Sequence, residues 1–160
     1  MKTLPRWSAI GLVATAAIAV LAPRATQAWQ TTTPPFAPPT ACGTPTPIEK
    51  SAIGLPEVRA VAVNAEVWTL FFHPVSQPVT ANRRVKIVWR MTGAGRFGVS
   101  AYSPDGLRVE PETGPAFHPS SNWARPGDEW GTWFKFPLAG CWNLHASRDN
   151  SYGDVWIEVK

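Results

Sequence analysis

Beyond its first 28 residues, the chain lacks anything that reads as a helix. No window of ten or more residues there keeps apolar side chains at helical spacing without a proline or glycine intruding. That excludes helical bundles and strand–helix–strand alternation. Internal repeats are missing as well, which sets aside propellers and solenoids. So are the common catalytic signatures: no Gly-x-Ser-x-Gly elbow, no His-Glu-x-x-His and no glycine-rich phosphate loop. Asp128 and Glu129 are chain neighbours, so an extended backbone turns them to opposite faces. A glycosidase-like carboxylate pair would need Asp105, Glu110 or Glu112 as its second member. The expectation is a domain that is not an enzyme and carries no cofactor.

Charge of one sign is also scarce, despite a pI of about 9.4. Of 15 basic residues, Lys2, Arg6 and Arg24 lie in the first 28, which hold no acid, and the remaining 12 face 11 acids. A remainder so near neutrality gives no reason to expect nucleic acid or an anionic membrane as partner. The one basic cluster, Arg83-Arg84 with Lys86, reads as a solvated strand edge. The first 28 residues have the three parts of an export signal. Lys2 and Arg6 start it, sixteen uncharged residues follow from Trp7 to Ala22, and Thr26 and Ala28 flank a cleavage point after Ala28. An uncleaved anchor is the alternative, but a spanning helix wants about 20 strongly apolar residues. Ala9, Ala14, Ala16, Ala17 and Ala19 dilute this stretch. The expected product is secreted, periplasmic or at the cell surface, with no membrane insertion after cleavage.

Only two cysteines are present, Cys42 and Cys141, and both lie in the exported part. An even pair in an oxidising compartment reads as a disulfide. Cys42 falls in a Thr/Pro-rich stretch with six prolines between Pro34 and Pro47. Such a stretch cannot bury enough surface to fold alone and reads as a spacer. A bond to Cys141 would tie it down. The expected division is signal peptide 1–28, N-terminal segment 29–52 and β-domain 53–160.

Short apolar runs separated by turn signals fill the rest. Val85, Ile87, Trp89 and Met91 alternate with Lys86, Val88 and Arg90, a strand with one buried face. Six further strands are expected at 58–63, 67–72, 97–101, 132–136, 142–146 and 155–159. Ser103-Pro104-Asp105-Gly106 ends the fourth of the seven in a turn. On the sixth, Trp142, Leu144 and Ala146 share one face, and Cys141, Asn143 and His145 share the other. About seven short strands without helices predict an all-β, immunoglobulin-like antiparallel sandwich, with a small Greek-key barrel or cupredoxin-like sandwich as the alternative.

The densest text is Trp123-Ala124-Arg125-Pro126-Gly127-Asp128-Glu129-Trp130-Gly131, then Phe136-Pro137-Leu138-Ala139-Gly140-Cys141-Trp142. Over about a quarter of the chain this resembles a group of uncharacterised exported bacterial proteins with an immunoglobulin-like β-sandwich and a Phe-Pro-x-x-Gly-Cys-Trp motif. The resemblance implies a fold and a compartment. It carries no activity, and since Cys42 lies in the Pro-rich segment, the inter-sheet disulfide of antibody domains does not transfer. Asp128 and Glu129, next to Pro126-Gly127, read as turn carboxylates that bond backbone donors, with Arg125 or Arg90 as the alternative partners.

Cys141-x-x-x-His145 with His73 upstream offers part of a blue-copper ligand set. The axial methionine is missing, because Met91 in a strand is the only methionine beyond Met1. No metal is expected. Trp is the residue in excess: eight of nine follow the signal, and Trp123, Trp130, Trp133 and Trp142 crowd into twenty residues. Exposed Trp can anchor a protein or stack on a sugar. Trp89 and Trp142 read as core. Trp123, Trp130 and Trp133 divide evenly between core and surface and form, with His118, the expected binding surface. The expected role is a non-catalytic interaction or structural module at the cell envelope, contacting an envelope protein or a glycan. A carbohydrate-binding module, marked by a row of exposed aromatics, is the alternative. The sequence does not fix an oligomeric state.

Overall fold

The computed structural model describes residues 46–74 and 77–160. Eleven strands run through them: β1 (Glu49–Lys50), β2 (Pro56–Arg59), β3 (Val61–Val63), β4 (Val67–Phe71), β5 (Arg84–Met91), β6 (Gly98–Tyr102), β7 (Arg108–Val109), β8 (Thr113–His118), β9 (Asp128–Lys135), β10 (Gly140–Arg148) and β11 (Ser151–Val159). They form two antiparallel sheets. The front sheet has the order β1-β2-β4-β5-β9-β8, and the back sheet β3-β11-β10-β6-β7. There is no helix among the described residues, and the fold is an all-β sandwich rather than a barrel.

Period-2 alternation builds the core between the sheets. From β5 come Val85, Ile87, Trp89 and Met91, and from β10 Trp142, Leu144 and Ala146, all buried in one cluster. Burying each large apolar side chain contributes roughly 1.5–3 kcal/mol. Two of the indole N–H groups in this core, those of Trp89 and Trp142, are hydrogen-bonded. Trp89 Nε1 donates to Thr132 Oγ1 at 2.9 Å, that hydroxyl donates to the Ile87 carbonyl at 2.9 Å, and Trp142 Nε1 donates to the Leu138 carbonyl at 3.0 Å.

The strand count exceeds the seven expected, for three physical reasons. The run 58–63 is two strands in different sheets: Val58 is fully buried in β2, whereas Val61 and Val63 in β3 are exposed and pair with β11. Strands β1 and β7 are two residues each, too short to show a period. Strand β8 has no buried residue at all, so it has no alternation to read. Sheet pairing also starts at Glu49, ahead of residue 53. Residues 1–45, which hold the expected signal peptide, most of the Pro-rich segment and Cys42, lie outside the described residues.

Candidate functional site

The outward face of the front sheet carries Glu57 and Arg59 from β2, Trp68 and Leu70 from β4, Lys86, Val88 and Arg90 from β5, and Glu129, Gly131 and Trp133 from β9. Five of these should be wet but are buried: the carboxylates Glu57 and Glu129, and the apolar Trp68, Leu70 and Val88. The three apolar side chains form a second apolar cluster with Trp123, against which Ile53 and Leu55 pack. The cover is the segment 119–127, which leaves the edge strand β8, crosses the sheet face as far as β2, and returns to start β9.

Polar bonds hold this cover in place. Trp123 Nε1 donates to Glu57 Oε2 at 2.7 Å, and Arg125 Nε reaches the same oxygen at 3.2 Å while its Nη2 bonds Glu57 Oε1. The Arg125 guanidinium also lies 3.8 Å from the centre of the Trp68 ring. Burial pushes the Glu57 carboxyl up, but the bonds from Arg125 and Trp123, with the Arg125 charge, outweigh it and hold the group below its ordinary value. On the other side, Arg90 donates to Glu129 Oε2 at 2.9 Å and to the Arg125 carbonyl at 2.7 Å. Ser121 Oγ donates to the same Glu129 oxygen at 2.6 Å. Asp128, facing the opposite way, pairs with Arg148 at 3.0 Å.

The cover stops short of Gly131. Beyond it lies a groove of about 240 Å³, floored by Leu70, Val88 and Gly131 and bounded by Phe72, Trp133, Trp123 and His118. A side chain at Gly131 would meet nothing within 4 Å, and its φ lies outside the left-handed region. No backbone or packing constraint therefore requires glycine there, although glycine weakens a strand interior. Trp133 is 37% exposed and Phe72 44%. Arg84 rests on the Trp133 ring at 4.9 Å. It registers with Lys135, on the side of Trp133 away from Gly131, so the other side of the ring lines the groove. Around the rim stand Lys86, Thr113, His118, Ser121, Asn122 and Glu129. Glu129 Oε1 makes no hydrogen bond among the described residues, and His118 Nδ1 lies 3.7 Å from it.

No family model, curated protein or solved structure matches this chain.

Of the residues expected to form a binding surface, the structure brings Trp123, Trp133 and His118 to this one groove. Trp123 is an end wall rather than a platform, only 3% exposed. Trp130 is elsewhere. It faces the core, stacked on Phe97 with ring centroids 4.3 Å apart and with the Arg148 guanidinium 4.9 Å from its ring centre. Sequence reasoning missed Gly131, Glu129, Phe72 and Val88. The Gly131 signal was there to read, since a glycine inside Trp130-Gly131-Thr132-Trp133 has no turn to make.

Cys141 lies on the outward face of β10 beside Asn143 and His145, opposite Trp142, Leu144 and Ala146. Its expected partner Cys42 is outside the described residues. Among the described residues, no three His, Cys, Asp or Glu groups approach closely enough to hold a metal ion. His145 Nδ1 lies 2.9 Å from Asp154 Oδ1, and His73 Nδ1 lies 2.8 Å from the Pro74 carbonyl oxygen. A second cavity, of about 250 Å³, opens between Phe71, Val79, Ile48 and Ile157. Its charged pair Glu158–Lys160 is bonded to itself, leaving few polar groups to orient a ligand.

Proposed function

We propose that this protein is an exported, non-catalytic interaction domain of the cell envelope, and that its binding seat is the groove over Gly131. The observation that carries this reading is an unstrained glycine in mid-strand, facing open space between exposed aromatic side chains. A concave apolar floor with a few convergent polar groups is the usual form of a binding site. The immunoglobulin-like type belongs to the same proposal. It is supported by strand order: β4-β5-β9-β8 and β11-β10-β6-β7 run as A-B-E-D and G-F-C-C′ do in such domains. A parallel bridge from Val79, between β4 and β5, to Val159 on β11 fits an A strand that switches sheets.

The test is Gly131→Val, which fills the groove with a residue suited to a strand. Removing the glycine should leave the domain as stable or raise its stability by about 0.5–1 kcal/mol. The full exported chain is titrated with solubilised envelope fractions while tryptophan emission is followed. The expected result is a spectral shift in the wild type that the variant loses at full stability. An equal response from both proteins would place the binding surface elsewhere. No response from either would point to a purely structural module.

A further inference from the structure

We infer that the groove takes a saccharide ring, a reading that rests on the groove being the binding seat. The first argument is the distribution of polarity. The floor of Leu70, Val88 and the Gly131 backbone is apolar, and one side is the free face of Trp133. Every hydrogen-bonding side chain stands at the rim. A pyranose has the complementary form, with C–H groups on its faces and hydroxyls around its edge.

A second argument concerns what the floor cannot offer. It is the face of a sheet whose β4, β5, β9 and β8 backbones are paired with one another. A peptide that adds as a strand needs main-chain partners at an open sheet edge, and this floor supplies none. A sugar hydroxyl needs only side chains. Among the lining side chains the Glu129 carboxylate can accept, while the Lys86 ammonium and the Asn122 amide can donate. Thr113 and His118 complete the rim, and Thr113 Oγ1 already accepts from Arg84 at 3.4 Å.

Charge is the third argument. Glu129 is already paired with Arg90 at 2.9 Å, and Lys86 lies over Phe72 with its nitrogen 4.4 Å from the ring centre. With Glu129 paired to Arg90, Lys86 is left as a single lining charge, too weak a field for a multiply charged ligand. A neutral, hydroxyl-rich ring fits that balance.

The test uses the full exported chain in three forms: wild type, Gly131→Val and Trp133→Ala. Each is titrated calorimetrically with cellotetraose, mannotetraose, chitotetraose and soluble peptidoglycan fragments. A parallel series uses extended decapeptides, Pro-rich ones included. The expected result is that at least one saccharide binds the wild type, loses binding with Gly131→Val, and weakens about tenfold with Trp133→Ala. Thermal melts of the two variants establish that they are folded. If only a peptide binds, and Gly131→Val abolishes it, the saccharide reading is overturned while the groove stands. If a saccharide binds all three forms equally, the groove itself is wrong. Binding of no member of either series also overturns the saccharide reading.

Discussion

At Glu57 a carboxylate only 1% exposed is held by an indole N–H and a guanidinium, both from the segment that covers the front sheet. Removing one partner of a buried charged cluster strands the others, at a cost of about 3–5 kcal/mol. Glu57→Gln is expected near the lower end, because Arg125 keeps 31% of its side chain in water. The pH dependence follows from the lowered carboxyl. Its value in the folded protein lies below the ordinary 4.5, so the unfolded chain takes up the proton first as pH falls. The contribution of Glu57 to stability is therefore complete above the ordinary value and is lost as pH drops through the folded one. Urea melts of wild type and Glu57→Gln at neutral pH and at about pH 3 check this. The gap between them should be wide at neutral pH and narrow in acid. A gap that stays constant would mean the carboxylate is not stabilised by its partners.

Two glycines four residues apart show how an element can be set by opposite demands. Gly127 has φ +94°, and a Cβ there would sit 2.3 Å from the Met91 carbonyl carbon. The turn that releases the covering segment into β9 is thus pressed against the end of β5. Gly127→Ala meets both a wrong backbone region and a backbone clash, and should cost well over 1 kcal/mol. Gly131→Ala meets neither and should be neutral or mildly stabilising. Equal losses from the two substitutions in denaturant melts would refute this account of β9. The same element shows what the sequence could and could not reveal. Strands β5 and β10 were legible over 85–91 and 142–146 because every second residue there is apolar and faces the core. Strand β9 was read from Thr132 only, since Gly127 and Gly131 interrupt the pattern, whereas it begins at Asp128. With that start, period 2 puts Trp130, Thr132 and Phe134 inward and Glu129, Gly131 and Trp133 outward, which separates the tryptophans that local sequence left ambiguous. The second apolar cluster stayed hidden for another reason. It joins β4, β5 and a loop residue, Trp123, that pattern alone cannot assign to a sheet face.

For the molecule as a whole, the unsettled element is the link between the Pro-rich segment and the sandwich. Thr46 N donates to the Trp156 carbonyl at 3.1 Å, and Trp156 N donates to Thr46 Oγ1 at 3.0 Å. Residue 46 thus occupies the strand position beyond β11. Trp156 registers with Asn143, two residues along β10 from Cys141. Crossing two strand spacings and two residues amounts to roughly 12 Å. Four extended residues, from Thr46 back to Cys42, span up to about 13–14 Å, enough for a disulfide to form. Asn143 adds a second observation. It is on the outward face of β10 yet only 1% exposed, and neither side-chain polar atom has a hydrogen-bond partner among the described residues. A segment crossing here would pass over that residue. A bond closing a loop of about 100 residues should contribute on the order of 4–5 kcal/mol, equivalent to about 10 °C or more in melting temperature for a domain of this size. The prediction is that the chain, produced in an oxidising compartment, resists alkylation until it is reduced, and that reduction or Cys42→Ser lowers its melting temperature by that amount. An intact mass starting at Trp29 would fix the cleavage point in the same measurement. If both thiols alkylate in the native protein, the covalent link is absent.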